Sequence, residues 1–499
     1  MNQSQAVFDK VLAHARRLSG QHLYAGQLRA PLSSKTFPVA SPATRRAIGN
    51  AADGDVQDVA AAVAAATAAQ REWAAMSPRA RGKILQEAAA SLTAHAEEIA
   101  TLLALETGKA IRTESRVEAN VLADCFEFYG GLGSELKGET IPFAPNMLVF
   151  TQREPIGVVA AILPWNAPLM LMAFKIAPAL VAGNTVVVKS AEEAPLSTLF
   201  VVDLLNRTLP AGVVNILSGF GPTCGGPLVA DARVGKVTFT GSVETGKIIA
   251  HAAAERLIPT TLELGGKSPM IVMEDADLDR AVAGAVAGMR FTRQGQSCTA
   301  ASRMLVHRSL CEAFVARMGE KVNAMVMGDP LDEKTDIGTI ISTAQFERVQ
   351  SYVELGRRIP DVQTLQLSSM PQAPELKNGL YVQPTVFVGV GNDHRLAREE
   401  IFGPVTCVIP FDEYEEAIAM ANDSDYGLAA TIWTKDLHRA LDAIQRLQAG
   451  FVQVNQNIVA QPGLSYGGFK QSGLGKEASL EAMLDHFTQK KTVLISRDG

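Results

Sequence analysis

Several common signatures are missing from this chain of 499 residues, and each absence excludes a class of protein. The five cysteines are scattered and odd in number, without a CxxC pair, which favours free thiols in a reducing compartment over a disulfide framework. The eight histidines form no HxH or HExxH pattern, so we expect no metal site. The net charge is −6 and no basic run stands out, which argues against nucleic acid as a partner.

Long apolar runs are also missing. No uncharged stretch reaches the length of a transmembrane helix, and the N-terminus lacks a secretory pattern. We therefore expect a cytoplasmic protein without a membrane partner. A single hydrophobic core stops growing at about 250 to 300 residues, so the length predicts two or three domains.

What is present is an alternation of apolar runs and helical patterns after residue 155. Continuously apolar segments predict strands, and the helical segments between them predict a parallel sheet covered on both faces. The chain continues with a second series of the same kind from 270 to 411 and beyond. Two long helices, 53–75 and 78–106, precede the first series, and a hairpin at 134–154 interrupts the pattern. The predicted strands of the first series are 156–163, 185–188, 213–217, 236–240 and 260–264.

Polar residues follow the apolar strands, where parallel sheets bind ligands. Asn166 lies between two prolines and could donate to a developing oxyanion, although a turn asparagine would look the same. Lys189 and Glu192 are spaced to hold the hydroxyls of a ribose, or to form a solvated ion pair.

Two further strand ends carry chemistry. Gly241 and Ser242 form a small-residue turn before a helix, which could face a pyrophosphate or be an ordinary helix cap, because the full GxGxxG spacing is absent. Glu263 ends an apolar strand, where burial would raise its pKa and suit a general base; burial as a pair with a lysine is the alternative.

Cys298 lies on a polar connector, 291–302, between a predicted helix at 281–290 and a strand at 304–306. A cysteine on such a connector could be a nucleophile. A buried structural thiol is the competing interpretation, because free cysteines often act as small hydrophobes.

Together these segments resemble the aldehyde dehydrogenase superfamily from about residue 22 to 496. The resemblance depends on the joint order and spacing of seven motifs: Pro164-Trp165-Asn166, Lys189-Ser190-Ala191-Glu192, Phe239-Thr240-Gly241-Ser242, Glu263-Leu264-Gly265-Gly266-Lys267, Gly295-Gln296-Ser297-Cys298, Glu400-Ile401-Phe402-Gly403-Pro404 and the loop from Gly467 to Gly473.

The resemblance implies a role for each matching residue. Cys298 would add to the aldehyde as a thiohemiacetal and be oxidised to a thioester, while Asn166 and the Cys298 N–H stabilise the oxyanion. Glu263 would activate water, with Lys175 and Glu477 relaying protons. The implied cofactor is NAD, and its contacts would be Trp165, Lys189, Glu192, Gly241, Ser242, Glu400 and Phe402.

Two choices within the family follow from charge and chemistry. Glu192 would repel a 2′-phosphate, so we expect NAD rather than NADP. The presence of Glu263 favours hydrolysis over transfer to coenzyme A.

The residues that line the substrate tunnel in related enzymes are mainly apolar here, which suggests an aromatic or medium-chain aldehyde. Arg293 leaves a carboxylate-bearing semialdehyde open as an alternative, and an inactive binding protein on the same fold is a further one. The implied substrate residues are Val121, Ala167, Leu171, Phe174, Ser297, Thr299, Ile458, Ala460 and Tyr466.

The family fold implies an α/β protein with two doubly wound, Rossmann-like parallel-sheet domains. The cofactor domain would comprise 1–133 and 155–264, and the catalytic domain 265–470. The hairpin 134–154 and the C-terminal segment 471–499 would form an oligomerisation arm, so we expect a homodimer or homotetramer.

Overall fold

The computed structural model describes residues 3–458 and 460–497. Its N-terminal part is mainly helical. The sequence predicted one helix over 78–106, but the structure breaks it at His95, whose backbone leaves the helical region and whose Nδ1 bonds to the Ser91 carbonyl at 2.8 Å. The elements are α1 (Gln3–Leu18), β1 (His22–Tyr24), β2 (Gln27–Arg29), β3 (Thr36–Ala40), β4 (Ala47–Ala52), α2 (Val56–Ala75), α3 (Pro78–Ala94), α4 (Ala96–Thr107) and, after a π-type turn at Ile111–Ser115, α5 (Arg116–Gly131).

The predicted alternation of strands and helices then begins, after a short hairpin. The elements are β5 (Thr140–Ile141), β6 (Met147–Pro155), β7 (Val158–Ile162), α6 (Pro168–Val181), β8 (Thr185–Lys189), α7 (Pro195–Leu205), β9 (Val214–Leu217), α8 (Gly226–Ala230), β10 (Val234–Thr240), α9 (Val243–Ala254) and β11 (Thr260–Glu263). All five predicted strands of this series are present, with bounds that differ by one or two residues.

A second series of alternating strands and helices follows. Its elements are β12 (Pro269–Val272), α10 (Leu278–Gly288), β13 (Arg303–His307), α11 (Arg308–Asn323), α12 (Thr343–Arg357), β14 (Gln363–Gln366), β15 (Thr385–Val388), α13 (Arg395–Arg398), β16 (Val405–Phe411), α14 (Tyr414–Asn422), β17 (Tyr426–Gly427), β18 (Ala429–Trp433), α15 (Leu437–Arg446) and β19 (Phe451–Val454). The tail adds β20 (Phe469–Lys470), β21 (Gly473–Leu474), α16 (Leu480–His486) and β22 (Thr488–Ser496).

The first series forms an eight-stranded sheet in the order β2-β1-β9-β8-β7-β10-β11-β21. The five central strands are parallel, while β1, β2 and β21 add antiparallel edges. From β7 the chain first moves outward through β8 and β9 and then returns to β10 on the other side. The strand order therefore reverses between β7 and β10, which is where a doubly wound sheet opens a crevice.

The second sheet has the order β14-β15-β16-β13-β12-β18-β19 and is parallel except at β14. Only residues 264–268 separate β11 from β12. This short link places the amino end of the second sheet next to the carboxyl end of the first. The loop before β13, which carries Cys298, therefore faces the ends of β7, β10 and β11.

The hairpin and the C-terminal strand join in a separate small sheet. All nine residues of β22 pair with β6, and β5 pairs with the other edge of β6. The segment assigned to the arm from 471 onward does not lie wholly in this sheet, because β21 pairs with β11 in the first sheet.

No helix among residues 3–458 and 460–497 combines the length and the apolar character needed to cross a membrane. Within the same residues, no group of three or more His, Cys, Asp or Glu side chains is arranged to hold a metal ion.

Candidate functional site

The Cys298 loop is held by its own backbone and by Gln296. The backbone is left-handed at Arg290, Gln294 and Gly295, with φ of 57°, 56° and 63°. A Cβ on Gly295 would lie 2.0 Å from the Gly403 carbonyl oxygen, so this close approach requires glycine. The Gln296 carboxamide oxygen accepts from Ile341 N at 3.1 Å, and this bond anchors the loop to the segment that precedes α12.

The Cys298 thiol faces the Tyr466 hydroxyl at 3.3 Å. Burial raises the pKa of Cys298 to about 11, and the hydrogen bond with Tyr466 opposes that rise. With this raised pKa, the site holds a protonated thiol at rest. The thiolate is the reactive form of cysteine, and the Tyr466 hydroxyl is placed to stabilise it.

Asn166 lies beside this loop and is 7% exposed. Its Nδ2 donates to the Gln296 carbonyl at 3.1 Å, which uses one of the two amide protons. Its own carbonyl accepts from Lys109 Nζ at 3.1 Å. The segment after β7 is therefore tied both to the Cys298 loop and to a buried lysine.

Lys109 is itself paired with Glu118, and both side chains are buried. Glu118 also accepts from the N–H groups of Leu169 at 2.8 Å and Met170 at 3.3 Å. These are first-turn amides of α6, which need a partner outside the helix. Sequence reasoning missed this pair; the only signal was a glutamate within the apolar run of α5.

Glu263 ends β11 and is 2% exposed. Neither of its carboxylate oxygens has a hydrogen-bond partner among the residues that the structure describes. Burial, and secondly the nearby charge of Glu477, raise its pKa well above the usual value for a glutamate. The expected alternative, burial as a hydrogen-bonded pair with a lysine, is not the arrangement found at this carboxylate.

The lysine near Glu263 is paired with Glu477 instead. Lys175 Nζ lies 2.6 Å from Glu477 Oε1, and both side chains are fully buried. Thr238 donates to the same oxygen at 3.1 Å. Lys236, which the sequence did not single out, donates to Thr261 at 2.7 Å, and burial lowers its pKa to about 7.

A cavity of about 380 Å³ opens at the crevice between β7 and β10 and reaches Cys298. The Thr240 hydroxyl on its wall is buried without a partner in the described part of the chain. A Cβ on Gly265 would lie 2.4 Å from Glu400 Oε2, so glycine at this position lets the Glu400 carboxylate lie directly against the wall. The predicted cofactor residues that line the cavity are Trp165, Gly241, Ser242, Glu400 and Phe402.

The other two predicted cofactor residues lie at the end of β8. Lys189 Nζ and Glu192 Oε1 are 2.8 Å apart, and the Glu192 side chain is about one-third exposed. At the end of β10, Ser242 Oγ accepts from Thr245 N at 3.2 Å and caps α9, while the Gly241 N–H is already used by the Glu263 carbonyl at 3.1 Å. Ser242 is therefore a helix cap that also lines the cavity, and its contact with a pyrophosphate stays a prediction.

The opposite wall depends on two residues that the sequence analysis missed. Gln345 donates to the carbonyls of Ile401 and Phe402 at 3.1 and 2.9 Å, and Arg348 donates to the Glu400 carbonyl at 2.6 Å. They hold a turn in which Phe402 is left-handed, with φ of 59°. Burial raises the pKa of Glu400 to about 7. The Trp165 and Phe402 rings meet edge to face, with centroids 5.2 Å apart.

Six of the predicted substrate residues belong to a large buried hydrophobic cluster that also contains residues of α1, α3, α4, α7 and α16, and Cys298 packs against this cluster: Val121, Ala167, Leu171, Phe174, Ala460 and Tyr466. Ser297 and Thr299 flank the thiol, and their hydroxyls are 3.2 Å apart. Ile458 is 39% exposed and is not part of that cluster.

Arg293, whose environment the sequence left open, is buried in an ion pair. Its Nε and Nη2 lie 2.7 and 2.6 Å from Glu114 Oε2. Thr292 donates to the other oxygen of Glu114 at 2.5 Å. Arg293 is therefore neither solvated nor available as a free cation.

Comparisons with known proteins agree with this geometry. The model of the aldehyde dehydrogenase family matches residues 30–493. A betaine aldehyde dehydrogenase of Sinorhizobium fredii is 43% identical, covering 91% of this chain and 92% of the relative. A phenylacetaldehyde dehydrogenase of Pseudomonas fluorescens is 41% identical, with 96% of each chain covered. The NAD+ complex of an aldehyde dehydrogenase from Bacillus cereus superposes with a TM-score of 0.93 at 37% identity, covering 98% of each chain.

A match over most of the chain, identities above 40% and a superposable NAD complex support an aldehyde dehydrogenase rather than a binding protein that only shares the fold. With a cavity that reaches a cysteine and this similarity over nearly its whole length, this chain belongs to the aldehyde dehydrogenase family and is an NAD-dependent oxidoreductase of aldehydes.

Proposed function

We propose that the enzyme oxidises an aldehyde with an aromatic or medium-chain, apolar body to the carboxylic acid, with Cys298 as its nucleophile. The hydrophobic cluster against which Cys298 packs carries this proposal. An apolar substrate would leave water for that cluster, at a gain of about 25 cal/mol per Å² of apolar surface buried. The relatives' names, betaine aldehyde and phenylacetaldehyde dehydrogenase, do not select one substrate.

In the first half of the proposed reaction, the Cys298 thiolate adds to the aldehyde carbon. The new alkoxide accepts a hydrogen bond from the Cys298 N–H and from the Asn166 proton that Gln296 leaves unused. A donor in such a position contributes roughly 3 to 4 kcal/mol to the transition state. Bound NAD supplies the two-electron oxidant that converts the adduct to a thioester.

In the second half, Glu263 takes a proton from the water that attacks the thioester. Its raised pKa makes it a stronger base than an exposed glutamate. Because its oxygens are buried, the proton needs an internal path out. Glu477 and Lys175, joined at 2.6 Å, are the proposed relay.

For the cofactor, we propose that Lys189 and Glu192 hold the adenosine ribose and that the start of α9, with Ser242, faces the pyrophosphate. Glu400, Phe402 and Trp165 would then contact the nicotinamide end of the cavity that reaches Cys298.

The test is NADH formation with a panel of aromatic, medium-chain, quaternary-ammonium and carboxylate-bearing aldehydes, assayed with NAD and with NADP. The proposal expects the apolar aldehydes to give the highest kcat/KM and C298A to abolish turnover while NAD still binds. A rate that increases with coenzyme A would contradict hydrolytic release. Turnover limited to small polar aldehydes would contradict the apolar site.

We also propose a homodimer or homotetramer, because the small sheet of β5, β6 and β22 exposes apolar side chains. Phe143, beside β5, is 69% exposed and Leu494 is 55% exposed.

The free thiols of all five cysteines support a reducing compartment, and we propose the cytoplasm.

A further inference from the structure

Lys236, on β10, is a completely buried lysine that the proposed reaction does not use. Its Nζ donates to the Thr261 hydroxyl at 2.7 Å and lies 5.3 Å from the centre of the Phe487 ring. Neither contact brings a negative charge against the ammonium. A charge enclosed in this way is costly, and a lysine avoids the cost by giving up its proton.

The charge of Lys236 changes near neutral pH. Burial lowers its pKa to about 7, while the charge of Glu477 opposes this shift and the charge of Lys175 adds to it. Around pH 7 the side chain is therefore present both as the amine and as the ammonium. A group that carries protons needs both forms at the working pH.

Lys236 lies close to the proposed proton relay. Residues two apart on a strand point to the same face, so the Thr238 and Lys236 side chains share one face of β10. Thr238 donates to Glu477 Oε1 at 3.1 Å. Thr261, which accepts from Lys236, lies opposite Thr238 on the neighbouring strand β11. The glutamate and the lysine are thus each bonded to one of two threonines that lie opposite each other.

Glu477 also lies near the proposed base. Its Oε2 is buried without a partner in the described part of the chain, as are both carboxylate oxygens of Glu263. The charge of Glu477 contributes to the raised pKa of Glu263. Because Lys175 and Thr238 are bonded to Oε1, the other oxygen of Glu477 is the one left to receive a proton from Glu263.

His486, the last residue of α16, connects this region with the surface. The imidazole is half-buried, and its neighbour Asp485 is exposed. A Cβ on Gly475 would lie 3.2 Å from His486 Nε2 and 3.3 Å from Thr261 Cγ2, so the imidazole and the threonine approach the same glycine. Burial and, secondly, the charge of Lys236 lower the pKa of His486. The lysine and the histidine are therefore close enough to act on each other.

We propose that Lys236 takes the proton of Glu263 from Glu477 and passes it to His486, from which it leaves the protein. This deepens the proposed function and rests on it, because Glu263 and Glu477 are the base and the relay proposed there. The Lys236 amine takes the proton from the Glu477 carboxyl and becomes an ammonium. The ammonium gives the proton to the His486 imidazole, which releases it to water, so that every group returns to its starting form.

The experiment follows the thioester on Cys298 by rapid quenching and intact mass, with NAD and phenylacetaldehyde. Wild type is compared with K236M, which removes the amine, and with K236R, which keeps the charge but releases no proton near neutral pH. H486Q keeps a hydrogen-bond acceptor but cannot be protonated there, and it is assayed with and without imidazole in the buffer.

Two exposed positions supply matched controls, K321M on α11 and H438Q on α15. Thermal unfolding checks that each variant folds. E263Q, which removes the proposed base, is measured in the same way, so that the base and the exit are tested separately.

We expect K236M and K236R to form the thioester at the wild-type rate and to hydrolyse it about a hundred-fold more slowly, at the low end of the effect of a proton-transfer group. H486Q should hydrolyse the thioester several-fold more slowly. Imidazole should restore its rate, because a small base in the buffer replaces the acceptor at the surface. K321M and H438Q should resemble wild type.

Hydrolysis at the wild-type rate in K236R would overturn the proposal and leave Lys236 as a charge that only positions Glu477. Equal slowing of thioester formation and hydrolysis in K236M would also overturn it, as would an H486Q rate that equals wild type or ignores imidazole. If E263Q hydrolyses the thioester normally, the proposed base fails and the exit fails with it. If E263Q is slow while K236M is not, only the exit fails.

Discussion

At the level of single residues, we expect the reactivity of Cys298 to depend on the Tyr466 hydroxyl. Burial raises the thiol pKa to about 11, and the Tyr466 hydrogen bond at 3.3 Å works against that rise. In Y466F the thiolate loses this donor, so its pKa should rise further. Below the pKa, the thiolate fraction changes about tenfold per pH unit.

We therefore expect Y466F to be alkylated by iodoacetamide several-fold more slowly near neutral pH, with its rate profile displaced toward higher pH. The rate of alkylation is measured across pH, and Y414F, a surface tyrosine near α15, is the control. An unchanged profile would mean that Tyr466 does not stabilise the thiolate.

We also expect one side chain to decide the choice between NAD and NADP. Glu192 carries its charge 2.8 Å from Lys189 at the end of β8. Removing that charge should allow a 2′-phosphate to approach Lys189. We expect E192S to raise kcat/KM with NADP by at least about tenfold, the effect of about 1.4 kcal/mol. Steady-state kinetics with both cofactors checks this, and an unchanged NADP rate would remove Glu192 from the ribose site.

At the level of elements, the buried ion pair of Lys175 and Glu477 connects α6 to the segment between β21 and α16. Removing one partner of such a pair leaves an uncompensated charge and costs about 3 to 5 kcal/mol. K175M should therefore unfold at a clearly lower temperature than wild type. The double variant K175M/E477Q should recover part of this stability, because neither charge remains.

Thermal unfolding measures the stability of the three proteins, and stopped-flow kinetics measures thioester hydrolysis. The double variant should still hydrolyse the thioester slowly if the pair relays protons. Recovery of both stability and rate would leave the pair with a purely structural role.

The strands and helices of both sheets were predictable, because buried parallel strands are apolar throughout and amphipathic helices keep a regular spacing of apolar residues. The break at His95 was not, since the alanine- and leucine-rich pattern continues through it. Glu118 was also beyond prediction: its role depends on the amides of α6, some fifty residues later, which it meets only in the folded protein.

At the level of the whole molecule, the proposed oligomer depends on the small sheet. Phe143 beside β5 and Ile495 on β22 are 69% and 46% exposed, and apolar patches of this kind mark association sites. We expect F143R/I495R to shift the protein toward monomer. Light scattering coupled to gel filtration measures the mass, with L257R, a 93% exposed site in the turn that follows α9, as the control. A monomeric wild type would contradict the proposal.

The sequence by itself determined the α/β class, the family and the order of the chemical motifs, because strand periodicity and motif spacing are local properties of the chain. It also identified Asn166 and Tyr466, which the structure places beside the Cys298 loop. Tertiary structure alone decided which charges are neutralised. Arg293 and Arg290 are three residues apart and look equivalent in sequence, but among the described residues Glu114 forms its ion pair with Arg293. Burial and partner distance set the electrostatics of the site, and neither can be read from spacing.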